Sequence, residues 1–447
     1  MNLKYSIISV FVLLLPFSVK AQTYSLDQCK EMVLSNNARM NNKMLEVEAS
    51  KEAKKAAYTK YFPQVSATAF TYRFTDPLIN MEMPGGDLPV YDGNPANLQT
   101  ASQFAYFPGA AIPMLEEGVI GIATATQPVY TGQRISTGNK LANIGVEVSE
   151  LQLRITEKEM ILETEKNFWQ IILLNKKKKT LEKYINLVDT LHKEVFDAWE
   201  AGMVTQNDLL KVKLKQNELQ MNLSQLTNGI ELAKMAFCQF IGVEYSENIN
   251  FVDDIEISET PEMYYVDHFE ALKNREEYMM LQRSIDAEKY LTRMQRGEYL
   301  PEVAIGVGAL YLDIMDDSGD GFGMAFGTIS VPISGWWEAK HKLKERRIKE
   351  EQNRNRVNDT NEKLLLQMQQ GRNTLNEAYK QLQLAKISVE QADENLRLNQ
   401  NSYDAGMVNV SDVLDAQAQL QKSLNDYTEA QIQYKIACVN YLQITGR

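Results

Sequence analysis

Asp412 and Asp415 stand three residues apart, so on a helix their carboxylates share a face, and Asp208 holds in the first half of the chain the place that Asp412 holds in the second. Two kinds of chemistry suit such residues. Thr205 with Asp208, and Asn409 with Asp412, read as a helix N-cap with an acidic partner at the third helical position. Alternatively, paired carboxylates lining a passage attract cations. Bond-making chemistry is not spelled out. His192, His268 and His341 are widely scattered, Gly306-Val307-Gly308 lies inside a strand pattern with no phosphate-binding helix after it, and Gly132 to Lys140 lacks P-loop spacing. Met81, Met83 and Met114 could hold copper or simply fill gaps as loop hydrophobes, the reading preferred here. No enzyme, cofactor or resident metal is expected.

The aspartates sit in a duplicated stretch. Trp199-Glu200-Ala201-Gly202-Met203-Val204 returns as Tyr403-Asp404-Ala405-Gly406-Met407-Val408, and the match continues through Ala233, Gln239 and Gly242 onto Ala437, Gln443 and Gly446. In each copy a glycine falls where a helix ends in a left-handed residue, with a new helix starting three residues on. Both copies therefore read as tips of helical hairpins. The apolar Ala-Gly-Met-Val at each tip predicts either a protein contact surface or packing within the tip.

With 47 basic and 59 acidic residues the chain carries a net charge of −12, so nucleic acid is not an expected partner. Met1 to Ala21 reads as a secretory signal, with Lys4, an apolar run from Ile7 to Val19 and a small-residue end. That run is shorter than the ~20 residues of a membrane helix, and nothing else approaches that length, so any membrane contact of the mature chain falls to β-strands. Cys29, Cys238 and Cys438 are an odd number and make no disulfide framework; buried free thiols are expected, with one pair left open.

Ser25-Leu26-Asp27-Gln28 is a capping box opening a helical segment that runs to Tyr61-Phe62-Pro63. Strands are expected at 64–75 and 118–129, separated by a Pro-, Gly- and Met-containing loop over 76–116. Val146, Leu153, Met160, Asn167, Leu174, Leu181, Val188 and Val195 recur every seven residues, a coiled-coil seam; a helix from Gly138 to Glu200 would run ~95 Å. Its partner keeps sevens through Val212, Leu219, Leu226, Ala233 and Phe240. After an acidic connector the pattern replays: Leu272 and Asn274 match Leu34 and Asn36, Tyr299-Leu300-Pro301 matches Tyr61-Phe62-Pro63, and strands follow at 302–313 and 322–333 around a short Asp/Gly loop. A helix from about Trp336 to Ser402 would reach ~100 Å and carries Met368, Leu375, Leu382, Val389 and Leu396, with Gly371, Ala378, Ala385 and Ala392 three residues after the first four. Val413, Leu420, Tyr427, Tyr434 and Tyr441 do the same with Ala416, Ser423, Ala430 and Ala437. Large residues followed by small ones let helices interdigitate. Lys340, Lys342, Lys344, Arg346, Arg347 and Lys349 follow the last strand, either to meet lipid head groups or as a solvated face. The expected fold is mainly α with a small β part, arranged as a signal at 1–21, a repeat over 22–243, an acidic equatorial connector over 244–262 and a second repeat over 263–447.

Helix, strand, strand, long helix, tip, long helix, twice over behind a signal, resembles the TolC family of outer-membrane efflux proteins across the mature chain. The residues that carry the likeness are Gly202 with Asp208, Gly406 with Asp412, the two Tyr-x-Pro motifs, Pro128 and Gly132, Pro332 and Gly335, and Asp412-Val413-Leu414-Asp415-Ala416. The resemblance implies a homotrimer in the outer membrane of a Gram-negative bacterium, extending into the periplasm. Four strands per chain would build a 12-stranded β-barrel, and the coiled-coil hairpins a periplasmic tunnel. Its tips, around Gly202, Met203, Val204, Gly406, Met407 and Val408, would meet a periplasmic adaptor fed by an inner-membrane transporter, with outer-membrane lipid around the strands. Closure of a barrel independently asks for oligomers, since even side-chain-filled barrels need about eight strands. The family implies a periplasmic gate at Asp412, Asp415, Tyr403 and Asp208, with Asp412 and Asp415 as carboxylate rings. Val408 stands where the best-known member has an arginine, leaving the closed aperture without that link; Met407 and Val408 of neighbouring hairpins would pack in its place. Type I protein secretion and a non-conducting periplasmic scaffold are the alternative functions.

Overall fold

The computed structural model describes residues 23–90, 93, 95, 103–114, 117–252, 257, 259–313 and 319–447. The signal expected at 1–21, Asp253, Asp254 and Glu256 of the connector, and residues 316–318 of the short loop lie outside them. In chain order the elements are β1 (Thr23–Tyr24), α1 (Leu26–Asn36), α2 (Ala38–Tyr58), β2 (Gln64–Arg73), β3 (Ile79–Met83), β4 (Gly86–Pro89), β5 (Phe104–Phe107), β6 (Ala110–Met114), β7 (Glu117–Thr131), α3 (Arg134–Glu200) and α4 (Gln206–Ile241). The second half adds β8 (Asn250–Phe251), α5 (His268–Lys273), α6 (Glu276–Gly297), β9 (Glu302–Asp313), β10 (Asp320–Ser330), α7 (Gly335–Asp404) and α8 (Val410–Ile444). No helix among the described residues is long and apolar enough to cross a membrane.

The chain forms two compact units, each drawn from both halves of the sequence: residues 1–49, 147–283 and 354–447 in one, 50–146 and 284–353 in the other. The first unit is helical. The heptad seam of α3 is buried near the tip, where Leu181, Val188 and Val195 pack with Leu209, Val212 and Leu219 of α4 and Val410, Val413 and Leu414 of α8. Midway along α3 the seam gives way: Leu174 is only half-buried, and Phe168, Trp169, Ile171, Ile172 and Leu173 are buried together. A seam cannot bury near-consecutive residues; here α1, α4 and β8 enclose α3 on several sides, through Cys29, Phe237, Ile241 and Phe251. Between α7 and α8 the large-then-small alternation packs as expected, with Leu375, Ala378 and Leu382 against Ala430, Tyr434, Ala437 and Tyr441. Gly371 is needed at this seam, since a Cβ there would meet the Ile444 side chain.

The two halves reuse one joint. α4 ends at Gly242 and α8 at Gly446, both with positive φ, and a Cβ on Gly242 would run into Asn36 while one on Gly446 would touch Asn274. Asn36 and Asn274 are the matching residues of the two halves, so one close contact between helix end and asparagine occurs twice. All three cysteines are free and buried. Burial first, then the neighbouring Cys238, pushes the Cys29 thiol up to about 12, and burial raises Cys238 and Cys438 as well.

The second unit holds one four-stranded sheet in the order β10-β9-β7-β2, antiparallel throughout, with β2 and β10 as its edges. Its strands fall within three residues of the expected bounds; β10 stops at Ser330, two residues before Pro332, which has no N–H to give a ladder. A bulge between Pro128 and Tyr130 marks the end of β7. The stretch 76–116, expected as a loop, instead carries two short ladders within its described part: β3 pairs with β6 and β4 with β5, prolonging the β2–β7 hairpin. Pro84, Pro89 and Gly85 cut it into pieces of four and five residues, too short for a period to register. Met81 and Met83 on β3 are exposed, so they fill no gap within this chain.

Where β7 turns into α3, Gly132 (φ +60) meets Gly297 back to back: a Cβ on Gly132 would lie 2.3 Å from the Gly297 carbonyl oxygen. Arg134 pairs with Glu302 beside it. Gly132→Val is therefore expected to cost about 3 kcal/mol or more in strain and clash and to lower sharply the yield of folded protein, scored by circular dichroism and resistance to limited proteolysis. Gly202→Ala, at a glycine with open space around it, should cost only about 1 kcal/mol.

Candidate functional site

The tip of each hairpin is built from one backbone device. After α3, Gly202 (φ +74) donates its N–H to the Trp199 carbonyl at 2.9 Å and Met203 to that of Ala198 at 2.8 Å; after α7, Gly406 (φ +72) donates to Tyr403 and Met407 to Ser402, both at 2.8 Å. This is a Schellman ending, and only glycine takes its left-handed residue cheaply. The next helices start on capping carboxylates. Asp208 accepts from the Thr205 hydroxyl at 2.7 Å and backbone N–H at 3.3 Å, while Asp412 accepts from the Asn409 N–H at 3.0 Å. The Thr205 hydrogen bond is the largest influence holding the Asp208 carboxyl below its ordinary range. Capping is thus an observed role of both aspartates.

Four residues were expected at the gate. Asp412 and Asp415 are exposed, Asp208 is half-buried, and Tyr403 packs at the edge of the α3–α4–α8 cluster. Burial raises the Tyr403 hydroxyl, with Glu194 and Asp208 adding to it. Asp415 stands near the buried Tyr184 of α3, whose hydroxyl donates to the Leu414 carbonyl at 3.4 Å. At the tips the apolar residues divide. Met203 and Met407 are 76% and 79% exposed, whereas Val204 and Val408 are half-buried, Val204 against the tip cluster.

Lys211 was missed by sequence reasoning. Its ammonium lies 3.6 Å from Asp208 and donates to the Ser411 hydroxyl at 3.0 Å, so it ties the start of α4 to the start of α8. The signal was present in the i, i+3 spacing from Asp208, but the partner on the other hairpin was not. Higher up, Gln216 donates to Asp189 at 2.7 Å between α3 and α4. A groove of about 500 Å³ runs beside Leu187, Thr190 and Leu191 of α3, Leu396 and Gln400 of α7 and Gln417 of α8. Gln417 Oε1 is buried there with no hydrogen bond among the described residues.

The three histidines stay apart in role as in sequence. His268 Nε2 is 3.1 Å from the Tyr441 hydroxyl, and burial lowers its pKa, with Arg372 next in effect. His192 and His341 lie on α3 and α7.

Residues 269–447 match the family model described as outer membrane efflux protein. No curated protein matches the chain by sequence. Among solved structures, the chain is similar to the Campylobacter jejuni outer membrane channel CmeC, at 12% identity and a TM-score of 0.74 over 94% of this chain and 85% of that one. It is similar to the open state of the Neisseria gonorrhoeae outer membrane channel MtrE, at 12% identity and a TM-score of 0.72 over 94% and 88%. The outer membrane protein VceC of Vibrio cholerae gives 13% identity and a TM-score of 0.71 over 94% and 96%. At such identities the likeness is one of fold, and it covers the first half, which the family model does not reach, as well as the second. Residues 269–447 thus match the outer membrane efflux protein model, and the chain shares the fold of these outer membrane channels across 94% of its length.

Proposed function

We infer that the protein is the outer-membrane channel component of a tripartite efflux system, a passive export duct that extends into the periplasm and works as a homotrimer. One observation carries the reading: an antiparallel sheet with two open edges and two long helical hairpins belong to the same chain. In a bilayer each unpaired backbone group at an edge costs several kcal/mol, and four strands are too few to close on themselves. Three copies supply twelve, with β2 of one pairing with β10 of the next. A non-conducting tether would need no such sheet.

The hairpins of three copies then wall a tunnel whose tips dock a periplasmic adaptor, itself fed by an inner-membrane transporter. Support for docking is the exposure of Met203 and Met407 on rigid Schellman turns. Asp412, Asp415, Tyr403 and Asp208 form the periplasmic gate in this reading, with Asp412 also serving its helix as a cap. Residues 22–243 and 263–447 are two copies of one unit joined by the stretch 244–262, a proposal supported by the matching Gly242–Asn36 and Gly446–Asn274 contacts.

Native mass measurement after mild detergent extraction is expected to give a trimer, and the same material should open steady single channels in a planar bilayer. A monomeric mass, or bilayers that stay silent with intact trimers, would sink the duct.

A further inference from the structure

The basic run after β10 is not one surface but two. Lys342 lies 3.5 Å from Glu345 and 3.9 Å from Glu338, Lys349 lies 2.6 Å from Glu345, and Arg346 turns to Glu288 of α6 at 2.5 Å. These three cations are spent on neighbouring acids. Lys340, Lys344 and Arg347 are exposed and make no ion pair among the described residues. They follow Trp337 at steps of three, four and three, which places all four on one face of the first turns of α7.

Trp337 is 81% exposed. Its neighbour Trp336 is held by donating its indole N–H to the Tyr299 carbonyl at 2.9 Å. Tyr61 and Phe62, also exposed, precede β2 at the same end of the sheet. Exposed aromatic rings at a strand end are what a membrane interface recruits, because ring and polar tip suit its two sides. Along the axis, Lys340 and Lys344 lie ~5 and ~10 Å beyond Trp337 and Arg347 ~15 Å. Their flexible stems can reach back toward a phosphate layer, whose potential extends ~8–10 Å. In a chain of net charge −12, three uncompensated cations below an aromatic anchor select an anionic partner, and the sheet beside them makes that partner a lipid.

We propose that Trp337, Lys340, Lys344 and Arg347 form a binding face for anionic phospholipid head groups, the phosphodiesters of the leaflet at the periplasmic end of the strands. The proposal rests on the outer-membrane reading, and its test separates the two. The full-length oligomer is reconstituted in vesicles containing brominated phosphatidylglycerol or brominated phosphatidylcholine, and quenching of the fluorescence lost in Trp337→Phe is followed.

The expected result is an association preference for phosphatidylglycerol of about five-fold or more, one surface charge being worth about that factor. It should vanish in the Lys340→Gln/Lys344→Gln/Arg347→Gln variant and persist in Lys342→Gln/Lys349→Gln. Equal quenching by both lipids, or a preference that survives the triple substitution, overturns the lipid face while leaving the membrane reading intact. No quenching by either lipid overturns both. A preference removed by inorganic phosphate but not by chloride of equal ionic strength would make this a phosphate-ion site and also overturn the proposal. Recovery of normal oligomer from each variant, checked by native mass, keeps the comparison on folded protein.

Discussion

Gly406→Pro is expected to abolish export while leaving oligomers in the membrane. Proline fixes φ near −65° and has no N–H, whereas Gly406 sits at φ +72 and donates to the Tyr403 carbonyl at 2.8 Å. Both requirements fail at once, so the turn cannot close in its present form; in a helix interior the comparable loss is about 3 kcal/mol or more. The damage stays local because open space surrounds the glycine, and the buried cluster of Val410, Val413 and Leu414 lies beyond the turn. What moves is Met407, the most exposed apolar side chain of that tip. Gly406→Ala separates conformation from bulk: it keeps the N–H, costs about 1 kcal/mol for its positive φ, and should retain most export. Gly202→Pro should behave like its counterpart. Substrate export and adaptor cross-linking are the measurements, and parental values for both in the proline variants would remove the tips from the docking surface.

Asp415→Asn is expected to weaken cation selectivity and to relieve block by multivalent cations applied from the periplasmic side, with little change in stability. The choice of residue follows from the helix start. Asp412 accepts the Asn409 N–H at 3.0 Å, so removing its carboxylate costs about 1 kcal/mol of capping and can open the tip for reasons unrelated to charge. Asp415 lies beyond the reach of that cap, is exposed, and keeps its shape as asparagine. In the proposed trimer, three copies around an axis would concentrate cations between them, since fields add in a narrow passage walled by protein. The double change Asp412→Ala/Asp415→Ala should have the larger effect. Reversal potentials in asymmetric salt decide the matter: if neither the single nor the double substitution shifts them, the aspartates do not line the constriction, and capping alone accounts for Asp412.

Regular periods carried far along this chain. Sevens in α3, α4, α7 and α8, alternation in the four sheet strands, and glycine followed by a cap at each tip all placed elements within a few residues, because each pattern is enforced over many residues by one kind of burial. Where several elements meet at one place, the period failed. Phe168, Trp169 and Ile171 to Leu173 are buried together because α1, α4 and β8 surround them, a circumstance no local window contains. The ladders within 76–116 were hidden by their shortness and their prolines. At the tip, Asp208 and Asp412 were readable as caps from spacing alone. Lys211 joining Ser411 was not, since the two are 200 residues apart and meet only through the hairpins. The proposed gate would belong to the relation between copies, which neither a sequence period nor a single protomer contains.

The open edges of the sheet also say something about biogenesis. A lone protomer cannot enter the bilayer in halves, because β2 and β10 would each carry a row of unpaired N–H and C=O groups into hydrocarbon, while Val65, Ile305, Phe322 and Ile329 stand exposed to water until they do. For the proposed trimer, insertion and subunit encounter would then be a single kinetic event. The rate at which ducts appear should rise more steeply than linearly with protomer supply, and protomers waiting with two open edges should be prone to aggregate.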